Sequence, residues 1–389
     1  MVVSPWWERD VIKSILFVTN DFGPRAGGIE TFIIGLIERL PFGSVTVYTS
    51  SQEDTLAYDA AWRDNYGVIV IRDKAKILLP TPRVARAVAR IVNRDKKEIV
   101  AFGAAAPLAL MAQTLRRAGA TRIVALTHGH EVWWSKIFPF KVAMRRIGNT
   151  TDALTYLGEF TKTAIAHALS STSAKAMVKI APGIDIEHFK PVDASELKRD
   201  LGLENKNVIV SVGRLVHRKG QDKLIESMPA IIRKIPQAHL LLIGEGPYRK
   251  HLTDLVNKHG LSSHVSFIGR INYSQLPQYI CIGDVFAMPS RSRFFGLEVE
   301  GLGIVYLEAS ACGLPVIAGS SGGAPDAVIE GVTGVVVNGL DVKAISQSVI
   351  ELLGNRDACQ KMGLAGRQWI EENWRWELWA KEFSRLLLH

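Results

Sequence analysis

In the stretch VEGLGIVYLEASACGLPV, residues 299–316, two glutamates stand eight apart, Glu300 and Glu308, around an otherwise apolar run. Gly313 followed by Pro315 marks a helix end, so the pattern predicts a helix over about 303–312. Glu300 then lies on the loop before it and Glu308 one turn inside. One on the loop and one in the helix, their roles should differ. Glu300 sits beside the free N–H groups of Gly301, Leu302, Gly303 and Ile304, which can donate to a neutral or anionic ligand. Glu308 can accept hydrogen bonds from vicinal hydroxyls, such as those of a sugar or ribose. An acid that merely favours the helix dipole accounts for Glu300 but leaves Glu308, on an apolar helix, unexplained.

Three further turns carry chemistry. In VGRLVHRKGQD (212–222), Arg214 and Lys219 follow one apolar run and precede a helical one. A guanidinium and an ammonium at such a turn would hold a diphosphate; a merely basic loop is the alternative. His217 and Arg218 of the same turn are read as solvent-facing. In NDFGPRAGGIE (20–30), Gly27 and Gly28 let backbone N–H groups approach a phosphate at a helix start. Neither G-x-G-x-x-G nor the Walker lysine is present, so a tight turn alone also fits. In LTHGHEVWW (126–134), His128 ends a run and is followed by His130 and Glu131. The spacing matches no zinc signature. No metal is therefore expected, and a hydrogen-bonding or proton-handling imidazole is the reading of His128. Trp133, Trp134, Phe138 and Phe140, mixed with Lys136 and Lys141, suit either a headgroup boundary or ordinary core packing.

These turns need rigid elements on either side. SILFVTN (14–20) reads as a buried strand and GGIETFIIGLIERL (27–40) as a helix. Strands are expected at 45–50, 67–72, 98–103 and 122–129. KTAIAHAL reads as helix, and MVKIAPGI as a strand entering a turn. At 207 the same grammar restarts, with strands in NVIVSVGR, AHLLLIGEGP, HVSFIGR, VFAMPS, PVIAGSSGG and TGVVVNG, and helices between them. Alternating strands and helices imply parallel sheets with right-handed crossovers. The fold class is thus α/β, with two doubly wound domains facing across a cleft and ligands beyond the carboxyl ends of the strands. The polar segment Pro191–Asn205 is the expected boundary: residues 1–190, 191–370, and a final helix over 371–389, within RQWIEENWRWELWAKEFSRLLL.

The chain has 389 residues, 47% hydrophobic, and a net charge of +9. Residues 1–190 hold 25 Lys and Arg against 17 Asp and Glu, whereas 191–389 hold 22 against 21. The basic first half points to an anionic partner. No stacking module or groove-reading motif accompanies the charge, so nucleic acid is not expected. The scattered cysteines Cys281, Cys312 and Cys359 fit a reducing cytoplasm. The start MVVSPWWERD does not read as a secretory signal, and no apolar window reaches a membrane span.

In order, GGIE, HGHE, PGIDIEHF (182–189), GRLVHRKG, IGEGP and the E-x7-E motif EGLGIVYLE resemble the retaining GT-B glycosyltransferases over nearly the whole chain. TNDFGPRAGGIE, FGAAAPLAL, THGHEVWWS and VEGLGIVYLEASACGLPVIAGSSGGAP are similar to the actinobacterial phosphatidylinositol mannosyltransferases that add a second mannose. That resemblance implies GDP-mannose as donor and a phosphatidylinositol monomannoside, acylated or not, as acceptor. It also implies an anionic membrane surface as partner, no cofactor and no metal, and a place on the inner, cytoplasmic face of the cell membrane. By the same resemblance Gly27 and Gly28 approach the diphosphate and acceptor, Arg214 and Lys219 hold the diphosphate, and Glu308 takes the ribose. Glu300 and the amides of residues 301–304 take the mannose, His128 the region of the reacting carbon, Asp21 the acceptor, and Arg270 with Ile271 the base. SRSRFFGLEVEGLG (290–303) is longer and more aromatic than the family's usual run and holds a second acid, Glu298; the distance to Glu308 favours Glu300, and whether Glu298 shares the sugar contact stays open. The alternatives are the same fold acting on a soluble inositol phosphate or sugar phosphate with another donor, and a nucleotide-binding module or epimerase.

Overall fold

The structure, a computed structural model, describes residues 14–25 and 27–389. The amino-terminal segment read above as lacking a secretory signal lies outside these residues. The chain divides into two compact units, residues 1–183 with 376–389, and residues 184–375.

The first unit is built on seven parallel strands: β1 (Ile15–Thr19), β2 (Val45–Thr49), β3 (Ile69–Arg72), β4 (Ile99–Phe102), β5 (Arg122–Ala125), β6 (Ala153–Tyr156) and β7 (Val178–Lys179). Their order is β3-β2-β1-β4-β5-β6-β7. Ile15, Leu16, Phe17 and Val18 are wholly buried because β1 lies mid-sheet with helices on both faces. Edge strand β3 leaves Ile69 exposed. The helix Trp376–Leu388 packs on this sheet, with Phe383 against Phe17 at 6.0 Å and Arg122 donating to the Leu386 carbonyl at 2.8 Å.

The second unit has six parallel strands: β8 (Asn207–Val212), β9 (Ala238–Ile243), β10 (Val265–Gly269), β11 (Val285–Met288), β12 (Val316–Gly319) and β13 (Gly334–Val337), in the order β10-β9-β8-β11-β12-β13. Both orders reverse beside their first strand, β1 next to β4 and β8 next to β11. A doubly wound sheet opens its ligand crevice at that reversal.

Three expectations shift. The boundary falls at 183/184 rather than 190/191, because residues 184–189 are tied to the second unit. Ile184 donates to the Trp374 carbonyl at 2.7 Å, and Arg367 donates to the carbonyls of Ile186 and Phe189. Pro191–Asn205 is accordingly part of that unit and contains the helix Ser195–Asp200. The final helix is two helices, Arg356–Asn373 and Trp376–Leu388, so the chain returns to the first unit at 376 and not 371. Strand β6, in DALTYLG, was not anticipated; Thr155 interrupts its apolar run.

Candidate active site

In the second unit the turn 213–220 leaves β8, and the loop 289–303 leaves β11, its neighbour. The two meet on Glu300. Lys219 Nζ lies 2.8 Å and Arg218 Nη1 2.7 Å from the same oxygen, Oε2. Glu300 and Lys219 are both buried. Burial alone would raise the Glu300 pKa, but the charges of Lys219 and Arg218 outweigh it and hold the carboxylate below its ordinary range. Arg218 thus corrects the solvent-facing reading: its guanidinium is the second clamp on Glu300. Arg214 is exposed, and no carboxylate among the described residues pairs with it.

Glu308 sits in the helix Ile304–Ala311, which starts after Gly303 at φ +80°. A glycine is required there, since a Cβ would also lie 2.4 Å from the Tyr306 ring. The Glu308 side chain is buried, and no donor among the described residues reaches its carboxylate. Burial pushes its pKa up to about 7, against the field of Lys219. Buried carboxylates without donors are costly, so this one is open for hydroxyl donors. Glu298, by contrast, is half-exposed, 3.3 Å from Arg293 and 3.6 Å from Arg218.

Sequence reasoning missed the pair that holds this arrangement. Arg291, in the loop after β11, donates to Asp222 Oδ2 at 2.7 Å, with both side chains buried. The Arg291 backbone N–H also donates to the Arg218 carbonyl at 2.8 Å. Gly220, at φ +77°, lets the turn pass so close that a Cβ would lie 1.9 Å from the Pro289 carbonyl oxygen. The aspartate of KGQD was the available signal, being an acid in the first turn of a helix directly after the basic residues. Arg270 is exposed and Ile271 half-buried, both just past edge strand β10.

In the first unit, Asp21 follows β1, and His128, His130 and Glu131 follow β5. His128 is buried, and its Nε2 lies 2.7 Å from the Gly103 carbonyl oxygen, just past β4. A carbonyl only accepts, so Nε2 carries the proton and Nδ1 the lone pair. Burial lowers the His128 pKa, which keeps the ring neutral. Its backbone N–H donates to Glu131 Oε2 at 2.8 Å. The neutral ring can therefore accept a hydroxyl hydrogen bond at Nδ1, but its Nε2 proton is already engaged. Burial and the nearby Glu30 charge raise the Asp21 pKa to about 6, partly offset by Arg25 at 3.6 Å.

At the start of helix Gly28–Ile37, a Cβ on Gly27 would lie 2.3 Å from Glu30 Oε2. An internal carboxylate, paired with Arg25 at 2.7 Å, thus occupies the space over Gly27 that was expected to admit a phosphate. Gly28 is open, with no atom within 4 Å of where its Cβ would be.

Each unit therefore carries a cluster of polar side chains at the carboxyl ends of its strands. The family model described as Glycosyl transferases group 1 matches residues 193–369, and Glycosyltransferase Family 4 matches residues 26–188. The chain is 44% identical over 377 residues, 96% of its length and 98% of the relative's, to the GDP-mannose-dependent alpha-(1-6)-phosphatidylinositol monomannoside mannosyltransferase of Mycolicibacterium smegmatis. The chain is a GT-B glycosyltransferase. It is also 42% identical to the GDP-mannose-dependent monoacylated alpha-(1-6)-phosphatidylinositol monomannoside mannosyltransferase of Corynebacterium glutamicum, covering 96% of the chain and 98% of the relative. Among solved structures, the glycosyltransferase shares its fold with Anabaena Alr3699/HepE in complex with UDP, at a TM-score of 0.80 and 20% identity over 96% of this chain and 99% of that one.

Proposed function

We propose that this glycosyltransferase moves mannose from GDP-mannose to a phosphatidylinositol mannoside lipid at an anionic membrane surface, with retention at the anomeric carbon and without a metal. The observation that carries the donor reading is the pair of buried glutamates, Glu300 clamped by two cations and Glu308 with no donor of its own. Glu308 accepts from the ribose hydroxyls, while Glu300 and the amides of residues 301–304 take the hexose. Arg214, whose guanidinium is uncommitted, and Lys219 receive the diphosphate. The identity of base and sugar comes from the near full-length likeness to relatives named for GDP-mannose.

The bond from the anomeric carbon to the diphosphate oxygen breaks, giving an oxocarbenium-like transition state. Negative charge grows on the diphosphate, where Arg214, Lys219 and the helix amides stabilise it. The acceptor oxygen attacks the same face, and its proton passes to a diphosphate oxygen. His128 accepts a sugar hydroxyl at Nδ1, and Asp21 orients the acceptor. Among the described residues, no three His, Cys, Asp or Glu side chains converge as a metal site, and no helix is long and apolar enough to cross a membrane. The lipid is met instead by the basic first half of the chain. The test is a donor panel with phosphatidylinositol monomannoside in mixed micelles. Turnover with GDP-mannose and none with UDP-glucose is expected; the reverse would overturn the reading. Preference for a soluble inositol phosphate would move it to the other acceptor class.

A further inference from the structure

In the first unit the helices Glu131–Lys136 and Phe140–Thr150 border an open apolar groove of about 470 Å³, within the size range of small-molecule sites. Trp134, Phe138, Phe140 and Val142 form its walls, and Arg146 stands at its margin. Phe140 packs edge-on to both Trp133 and Trp134, with centroids 4.8 Å apart in each pair. Phe138 is 81% and Val142 56% exposed, far more than a finished core leaves in water. The charge around the groove is one-sided. Residues 132–151 contain Lys136, Lys141, Arg145 and Arg146 and no Asp or Glu. No carboxylate among the described residues pairs with Lys141, Arg145 or Arg146. An apolar slot whose one charged lining residue is the cation Arg146 matches an amphiphile with a hydrocarbon tail and an anionic head.

We infer that this groove takes one acyl chain of an anionic phospholipid, with Arg146 at its phosphodiester. The inference rests on the lipid-acceptor reading above and specifies how that lipid is held. The spacing suits it. The helix carrying Trp134 begins at Glu131, whose carboxylate holds the His128 backbone at 2.8 Å. Glu131 and Trp134 are separated by about 4.5 Å of helix axis. The groove wall and the His128 turn are thus joined through one short helix, Glu131–Lys136.

The test uses the full-length protein and monomeric lysophosphatidylinositol of increasing chain length, below micelle-forming concentrations. Affinity is expected to rise about fourfold per added methylene until the groove is full, and a brominated chain should quench Trp134 fluorescence. Ala143→Trp, which fills the groove, should abolish the chain-length dependence, and Phe138→Ser, at an exposed position, should weaken it tenfold or more. Both should leave turnover on a deacylated mannosyl-inositol phosphate acceptor unchanged. An undiminished chain-length dependence in both variants would overturn the groove. So would binding to anionic vesicles alone, since the face would then rest on a bilayer without admitting a chain. So too would equal affinity for inorganic phosphate. Chain binding without any turnover of GDP-mannose would instead sink the proposed function and leave the groove standing.

Discussion

Replacing Glu308 by Gln should stabilise the protein while crippling it. The folded carboxyl titrates at about 7, against an ordinary 4.5, because its site is buried and offers no hydrogen-bond donor. Below pH 4.5 both folded and unfolded forms are protonated, and the residue makes no difference. Between 4.5 and 7 the unfolded chain ionises while the folded one stays protonated, so the relative stability is lost as pH rises through the folded value. The full cost, at about 1.4 kcal/mol per pKa unit, reaches about 3 kcal/mol above pH 7. Glu308→Gln removes that cost without changing shape. Urea unfolding at pH 5, 7 and 9 should show the variant gaining on the parent as pH rises, with most of the gain in place by pH 8. Donor binding should show the opposite ranking. Ribose hydroxyls prefer the ionised carboxylate, so nucleotide-sugar affinity of the parent should rise with pH up to about 7, with proton release on binding, and the variant should bind weakly at every pH. A stability difference independent of pH, or a variant that binds donor with the parent's affinity and pH profile, would refute this reasoning.

Three other changes have defined outcomes. Glu300→Ala leaves Lys219 and Arg218 without their shared partner; about 3 kcal/mol of stability should go, together with roughly a hundredfold or more in turnover, measured by denaturant unfolding and steady-state kinetics. Asp222→Ala should cost a similar ~3–5 kcal/mol by stranding the buried Arg291, and Arg291→Met in that background should recover much of it in a double-mutant cycle; additive losses would show that the two side chains do not act as a pair. Asp21 titrates at about 6, so if its ionised form orients the acceptor, kcat/KM should fall below pH 6 and Asp21→Asn should remove that limb of the profile.

The sequence alone was enough for two doubly wound α/β units and for the separate placement of Glu300 and Glu308. Those features follow from local rules. Short apolar runs such as ILFVT, β-branched and bounded by turn residues, read as buried strands, and a Gly-x-Pro stop fixes where a short helix ends, hence which glutamate lies inside it. The motifs in GRLVHRKG and HGHE likewise sit where strands give way to helices, so their turns were legible as chemistry-bearing. What the sequence could not show is which charges meet. Arg218 looked solvent-facing because nothing local opposes it; its partner, Glu300, is 82 residues away and arrives only because β8 and β11 are neighbours. Arg291 and Asp222 are joined by the same adjacency. Glu30 folding back over Gly27, and His128 engaging the Gly103 carbonyl, are also products of packing. Apolar periodicity and turn chemistry are properties of neighbours along the chain. Carboxylate pKa values, the tautomer of a buried imidazole and the choice between Glu298 and Glu300 depend on burial and on charges brought in from other strands, and those exist only once the sheet has assembled.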